Sequence, residues 1–286
     1  MTSNGTMEGK VCLVTGANKG LGKEVTLALA GMGATVVMVC RDHGRGRAAL
    51  EEIKATTDSE SLNLLVADML SQQDIRRMAA EFRFKYTRLD VLVNNAGTRF
   101  GNWELTPDGH ESTFALNHLS SFLLTSLLLD LLKTSAPSRI ITTGSSTYRR
   151  AAINFDDIMP NQQNYDEATA YDQSKLAQVL FTFELARRLQ GTGVTVNCAD
   201  PGAVDTDIGV AGGPAFRERW RQRTPILVTP QEGARTAIHA ASAPEMATVT
   251  GAYLENMAVT EAAPQSLDEE VATRLWNLSE ELTEER

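Results

Sequence analysis

The sequence predicts an α/β fold in one domain: a doubly wound, mostly parallel sheet with helices on both faces. Three observations carry this. Short, almost wholly apolar runs recur along the chain and alternate with helical stretches, the pattern of strands buried on both faces and joined by helical crossovers. The first run ends in a glycine-rich turn that opens directly into a helix. No linker divides the 286 residues, a length that one α/β domain accommodates, so residues 1–286 are read as a single unit.

Val11 to Thr15 reads as the first strand and Lys23 to Met32 as a helix. Between them stands Gly16-Ala17-Asn18-Lys19-Gly20-Leu21-Gly22, where backbone N–H groups at a helix N-terminus bind a pyrophosphate. Thr35 to Cys40 is the second strand, and Arg41 follows it directly. In dinucleotide folds an acid at this place holds the adenosine ribose hydroxyl, whereas an arginine accommodates a 2′-phosphate. Arg41, with Lys19 nearby, therefore points to NADP(H) rather than NAD(H).

His43 to Thr56 is an amphipathic helix, Leu62 to Ala67 a third strand ending at Asp68, and Ser71 an N-cap for a helix to about Tyr86. Leu89 to Val93 is the fourth strand, closed by Asn94-Asn95-Ala96-Gly97. Gly109 to Thr134 is a long helical stretch, apolar around most of its circumference, which suits packing on the sheet and against a second copy of the chain as a homodimer or homotetramer. Arg139 to Gly144 is the fifth strand, ending at Ser145-Ser146; Ala151 to Thr169 reads as a surface loop. The helix around Tyr171 ends near Gly191, and Val194 to Ala199 makes the sixth strand, broken by Asp200-Pro201-Gly202. Thr229 to Ala241 is a helix with Pro230 in its first turn, Ala252 to Leu254 a last strand, and residues 265–286 hold a Glu-rich helix with a solvated face. Residues 1–9 read as a flexible N-terminus.

Lys and Arg number 27 against 36 Asp and Glu, a net charge of −9 that argues against a nucleic-acid or anionic-membrane surface and for a small-molecule partner. Cys12, Cys40 and Cys198 lie in apolar runs without metal-ligand spacing, as in a reduced, intracellular protein that binds no metal. Met1 to Lys10 is polar, and the most apolar run, Phe122 to Leu132, is interrupted by polar residues and too short to cross a bilayer. A cytoplasmic protein without a membrane span is the expectation.

Tyr171 and Lys175 stand four residues apart in a helical pattern, so both rise from one face. A neighbouring ammonium favours a phenolate and should lower the tyrosine pKa, which makes Tyr171 a candidate general acid or base. Residues 207–228 suit a substrate lid: three glycines between Gly209 and Gly213, then Phe216 and Trp220 on an arginine-rich helical face. Phe100, Trp103 and Tyr148, near other strand ends, should complete an apolar pocket wall with Trp220.

Taken in order, Thr15 to Gly22, Asp68, Asn94 to Gly97, Asn117, Ser146, Tyr171 with Lys175, and Pro201-Gly202 make the sequence resemble the short-chain dehydrogenase/reductase family, which has a Rossmann fold. The resemblance runs from Lys10 to Tyr253. Cys40-Arg41-Asp42, Leu116-Asn117-His118-Leu119 and the run Phe181 to Leu189 resemble its retinol-dehydrogenase branch, whose members often carry a membrane anchor ahead of the first strand. The resemblance implies hydride transfer between a nicotinamide and a carbonyl or alcohol. Tyr171 would give the proton, Ser146 would hydrogen-bond the same oxygen, Lys175 would lower the tyrosine pKa and hold the nicotinamide ribose, and Asn117 would position a water. It places Gly16, Asn18, Lys19, Gly20, Leu21 and Gly22 on the pyrophosphate. Asp68 with Met69 would meet the adenine, and Asn95, Ala96 and Gly97 the ribose side. Pro201, Gly202, Val204 and Thr206 complete the cofactor site, with Thr206 on the nicotinamide amide. Two other functions fit such a fold: a nucleotide-sugar epimerase or dehydratase, and a non-catalytic NADP-binding regulator.

Overall fold

The computed structural model describes residues 6–205, 218, 222 and 227–284. The apolar runs form β1 (Val11–Thr15), β2 (Thr35–Cys40), β3 (Leu62–Val66), β4 (Val91–Asn94), β5 (Ser138–Thr143), β6 (Val194–Asp200) and β7 (Ala252–Glu255). They make one sheet in the order β3-β2-β1-β4-β5-β6-β7, all parallel, and β8 (Ala258–Thr260) adds an antiparallel edge. The sequence gives no sign of β8, because its hairpin turns on Asn256 and Met257, both at positive φ, and methionine is not a turn signal at such a position.

Both faces of the sheet are covered, which is why the strands are apolar throughout rather than alternating with polar residues. On one face lie α1 (Gly20–Gly31), α2 (His43–Thr57) and α7 (Pro230–Ser242), packed through residues such as Leu29, Ile53 and Ala237 onto Cys12 and Val14. On the other lie α3 (Gln72–Lys85), α5 (Ser120–Thr134) and α6 (Glu167–Arg188), whose Phe82, Leu128 and Phe181 meet Leu13 and Leu92. Caps fix several starts: Ser71 accepts from Asp74 N, Asp166 from Thr169 N, and Thr229 and Glu232 form a reciprocal capping box at α7.

Four expectations change. The N-terminus is anchored from Met7, which is buried in the core and donates its N–H to Met32 O at 3.0 Å, so residues 7–9 are held rather than flexible. The long helix is not uniform: α4 (Ser112–Phe114) passes through a π turn, Ala115–Leu119, before α5. From Ser112 to Thr134 it spans 23 residues and is long and apolar enough to cross a membrane, contrary to the reading of this region as too short. Here it is mostly buried, against the sheet and α3. The terminal helix α8 (Glu269–Thr283) has more than a solvated face: Ala272, Leu275 and Trp276 are buried, with the Trp276 ring 4.9 Å from Phe122.

Candidate active site

A cleft of about 790 Å³ opens at the carboxyl ends of β1, β2, β4, β5 and β6. This is where a doubly wound sheet offers a crevice, since the connecting loops diverge on the two sides of β1.

At one end the β1–α1 turn approaches backbone so closely that only glycine fits. A Cβ on Gly22 would sit 2.4 Å from Gly16 O, and Gly16 and Gly20 have φ of +67° and +55°. Thr15 Oγ1 accepts from Asn95 N at 3.0 Å and Ala96 N at 2.9 Å, while Asn95 Nδ2 donates to Thr15 O at 2.8 Å. The Asn95 side chain therefore staples β4 to the turn, and Asn95, Ala96 and Gly97 line the cleft beside it. Lys19, at the N-cap of α1, supplies no side-chain cap, so the first-turn N–H groups face the cleft beside Asn18, Lys19 and Gly20. This cradle fits a pyrophosphate by its own geometry.

The rim beyond β2 is charged. Arg41 Nη1 lies 4.0 Å from Asp68 Oδ2; the arginine is largely open to solvent and the carboxylate is partly buried. Arg45, in the first turn of α2, lines the same rim with its Nε 3.6 Å from Asp42 Oδ1. The sequence reading missed Arg45; its signal was a second arginine four residues after Arg41, at the start of the next helix. Asp68, Met69 and Leu70 form the adjoining wall.

At the other end α6 presents Tyr171 and Lys175, which are 7% and 4% exposed. Lys175 Nζ donates to Thr143 O at 3.1 Å and Gln178 Oε1 at 2.8 Å, and lies 5.6 Å from the Tyr171 ring centroid. Burial dominates both titrations. It pushes the phenol up to about 12, opposed by a hydrogen bond from Ser145, and pulls the ammonium down to about 8. Contrary to the expected lowering of Tyr171 by Lys175, burial of the phenol leaves it raised.

The serine that meets the phenol is Ser145. Ser146 begins a 3₁₀ turn, Ser146–Arg150, that leads away from β5, and its side chain is exposed. Ser145 caps that turn, its Oγ 3.2 Å from Thr147 Oγ1. The expectation of Ser146 is corrected by one residue, because the strand ends at Thr143 and the chain leaves its pleat before the second serine.

Asn117 sits in the π turn, fully buried. Its Nδ2 donates to Thr98 O at 2.9 Å and Ser174 Oγ at 2.8 Å, and its Oδ1 accepts from Thr98 N at 2.9 Å. The side chain braces the Gly97 loop against α6. A Cβ on Gly97 would lie 2.9 Å from Asn117 Oδ1 and 3.7 Å from Lys175 Nζ. At the end of β6, Pro201, Gly202 and Val204 line the cleft, and Val204 bridges to Val228 at the start of α7.

On the substrate side Phe100 lines the cleft, its carbonyl held by the Tyr165 hydroxyl at 2.8 Å. Beside it Arg99 Nη2 pairs with Glu167 Oε1 at 3.3 Å. Two expected wall residues are elsewhere. Trp103 donates Nε1 to Pro160 O at 2.8 Å, tying two loops together outside the cleft. Tyr148 is wholly buried, its hydroxyl accepting from Ala263 N at 3.0 Å and its ring 4.8 Å from Tyr253. Aromatic type alone does not distinguish a pocket wall from core. Thr206, Trp220, Phe216 and nearly all of the expected lid, residues 207–228, lie outside the described residues. Among the described residues no group of His, Cys, Asp or Glu side chains is placed to hold a metal, and all three cysteines are buried thiols.

A glycine turn shaped to fit an anion and a nearly buried Tyr171–Lys175 pair lie at opposite ends of one crevice, an arrangement that fits a nucleotide-dependent oxidoreductase. The family of short chain dehydrogenases matches residues 10–213, and the chain belongs to it. Within the family it stands in the retinol-dehydrogenase-like branch. It is 41% identical to mouse retinol dehydrogenase 14, covering 96% of this chain and 86% of that one, and 42% identical to human retinol dehydrogenase 13, covering 96% and 84%. Among solved structures, an uncharacterised protein from Mycobacterium paratuberculosis superposes with a TM-score of 0.79 at 32% identity, covering 96% of this chain and 94% of that one. An active-site complex of Pseudomonas aeruginosa RhlG with NADP superposes with a TM-score of 0.69 at 30% identity, covering 86% and 94%.

Proposed function

We propose that the protein is an NADP(H)-dependent oxidoreductase acting on the carbonyl or alcohol of a fairly apolar small molecule, with Tyr171 as the proton donor and acceptor. The observation that carries this reading is the meeting of Tyr171, Ser145 and Lys175 at the end of the cleft whose other end is the glycine cradle. NADPH, when bound, supplies the hydride. As negative charge builds on the substrate oxygen, the Tyr171 hydroxyl delivers its proton there and the Ser145 hydroxyl hydrogen-bonds the same atom. Lys175, fixed by Thr143 and Gln178, keeps a positive charge beside the phenol, and Asn117 holds the Gly97 loop against it.

The choice of NADP(H) rests on Arg41 and Arg45, two cations on the rim where a 2′-phosphate would lie. The complex of the RhlG neighbour with NADP supports it. An apolar substrate is supported by Phe100 and Leu116 in the wall and by relatives named retinol dehydrogenases. The epimerase reading finds no support, since after Gly202 the described chain completes the same sheet with β7 and β8 instead of building a second lobe. We propose a cytoplasmic enzyme in which the apolar stretch Ser112–Thr134 packs in the core rather than crossing a membrane. Initial rates of NADPH and NADH oxidation against a panel of ketones, aldehydes and quinones test the reading. Turnover with NADPH that is lost in Tyr171→Phe supports it, and no turnover on any carbonyl, or an equal preference for NADH, defeats it.

A further inference from the structure

Lys175 poses a problem of charge. A buried ammonium is costly unless a carboxylate or several acceptors compensate it, and its two direct partners, Thr143 O and Gln178 Oε1, are neutral. The nearest carboxylate along α6, Asp172, is spent on Arg150 at 2.5 Å. Glu255 on β7 is paired with Arg149 at 2.9 Å, and Glu167 with Arg99.

A buried carboxylate outside these ion pairs stands on β6. Asp200 ends β6 and is 4% exposed. Its Oδ2 accepts from the Tyr253 hydroxyl at 2.6 Å and its Oδ1 from Gly202 N at 2.7 Å. The sheet register brings it beneath the site: Thr143, which holds Lys175, pairs with Ala199, and Gly144 N donates to Ala199 O at 2.8 Å. Cys198 and Asp200, two residues apart, project from one face of β6, the face covered by α6. The packing there is tight, since a Cβ on Gly144 would lie 2.7 Å from Cys198 Sγ and 3.5 Å from the Tyr253 hydroxyl oxygen.

We propose that Asp200, clamped by Tyr253, is the buried counter-charge of Lys175: a positioning residue that keeps the ammonium charged at neutral pH and so sets the pH range in which Tyr171 and Lys175 work. The inference rests on the reading of those two residues given above. Cys198 and Asp200 are the groups whose negative charge would favour the ammonium, but burial holds the Cys198 thiol protonated far above neutral pH, which leaves Asp200. Burial raises the Asp200 carboxyl, and the Tyr253 hydrogen bond and Gly202 amide pull it back toward ionisation. Tyr253 itself is pushed far up by burial, so it is a neutral donor throughout. Tyr148 behind it is likewise raised, and Arg149, 5.4 Å from the Tyr253 ring, is engaged by Glu255.

The test is the titration of Lys175, followed by NMR of protein labelled with ¹³C at the lysine ε-carbons and assigned by the signal lost in Lys175→Met. In Asp200→Asn, which keeps the oxygen that faces Gly202, the Lys175 midpoint should fall by about one pH unit from its wild-type value. The alkaline limb of kcat/KM for carbonyl reduction should move down with it. Tyr253→Phe should shift the midpoint the same way by less, and decides the matter if Asp200→Asn does not fold. An unchanged midpoint, or a loss of rate equal at every pH, overturns the proposal. The titration needs no turnover, so a protein inactive on every carbonyl would defeat the proposed function and leave this test standing.

Discussion

The two ends of the cleft handle charge in opposite ways. At the rim, Arg41 and Arg45 are open to water, loosely paired with Asp68 at 4.0 Å and Asp42 at 3.6 Å, and these ion pairs contribute little to stability. On the proposed reading, the two guanidinium groups would be available to a phosphate without prior reorganisation. On α6, Tyr171 and Lys175 line the inner end of the cleft and are nearly buried, and burial moves both away from their ordinary titration ranges, one up and one down. On the proposed function, the rim would bind an anion that arrives with its own charge, and the buried end would hold a proton in place until charge develops on the substrate, which requires side chains fixed before the reaction.

The sharpest way to break this contrast is Tyr171→Phe. It should reduce turnover by about 10³-fold or more while leaving the affinity for NADPH within about twofold, since it removes only the transferable proton. Steady-state rates and a fluorescence titration of NADPH separate the two effects, and near-normal turnover would end the assignment. Next comes the serine pair. Ser145→Ala should cost about 10²-fold in kcat, and Ser146→Ala less than about threefold, because only the first reaches the phenol. The reverse ranking would restore the sequence reading of Ser146.

Burial of Lys175 also predicts a slope of stability with pH. Its folded value, about 8, lies below its ordinary 10.5, so between these values the unfolded chain binds the extra proton and the folded state gains as pH rises. Urea unfolding should show wild type gaining up to about 3 kcal/mol on Lys175→Met between pH 7 and pH 10.5. Tyr171, raised from 10 to about 12, opposes this at higher pH because the folded state then retains a proton the unfolded chain has lost. A flat difference would mean that the ammonium is solvated after all.

At the rim, Arg41→Ala and Arg45→Ala should each weaken NADPH binding by about 1.5 to 3 kcal/mol and leave NADH nearly untouched, the size of one charge-assisted phosphate contact. Calorimetric titration with both cofactors measures it, and raised salt should narrow the gap in wild type. The smallest effect belongs to Tyr148→Phe, which should cost about 1 to 2 kcal/mol of stability by stranding Ala263 N. Substrate preference should not change; an altered preference would return Tyr148 to the pocket wall.

The sequence by itself determined what local periodicity and residue chemistry can carry. Continuous apolar runs named the strands, the spacing of Tyr171 and Lys175 put them on one helix face, and the glycine turn located the anion cradle because no side chain fits there. Arg41 was legible as the residue after β2. Only the tertiary structure decided what depends on distant parts of the chain. It chose Ser145 over Ser146, because the pleat ends two residues before the first serine and a 3₁₀ turn carries the second away. It added Arg45 to Arg41 by folding α2 back along the rim, and sent Tyr148 and Trp103 into packing with Ala263 and Pro160. It reversed the tyrosine titration, since desolvation depends on everything packed around a group and not on its neighbours in the helix. It also joined Asp200 to Tyr253 across 53 residues through the β6–β7 register. Such contacts leave no periodic trace, because they arise when elements that are each locally specified are brought together by burial of their shared apolar faces.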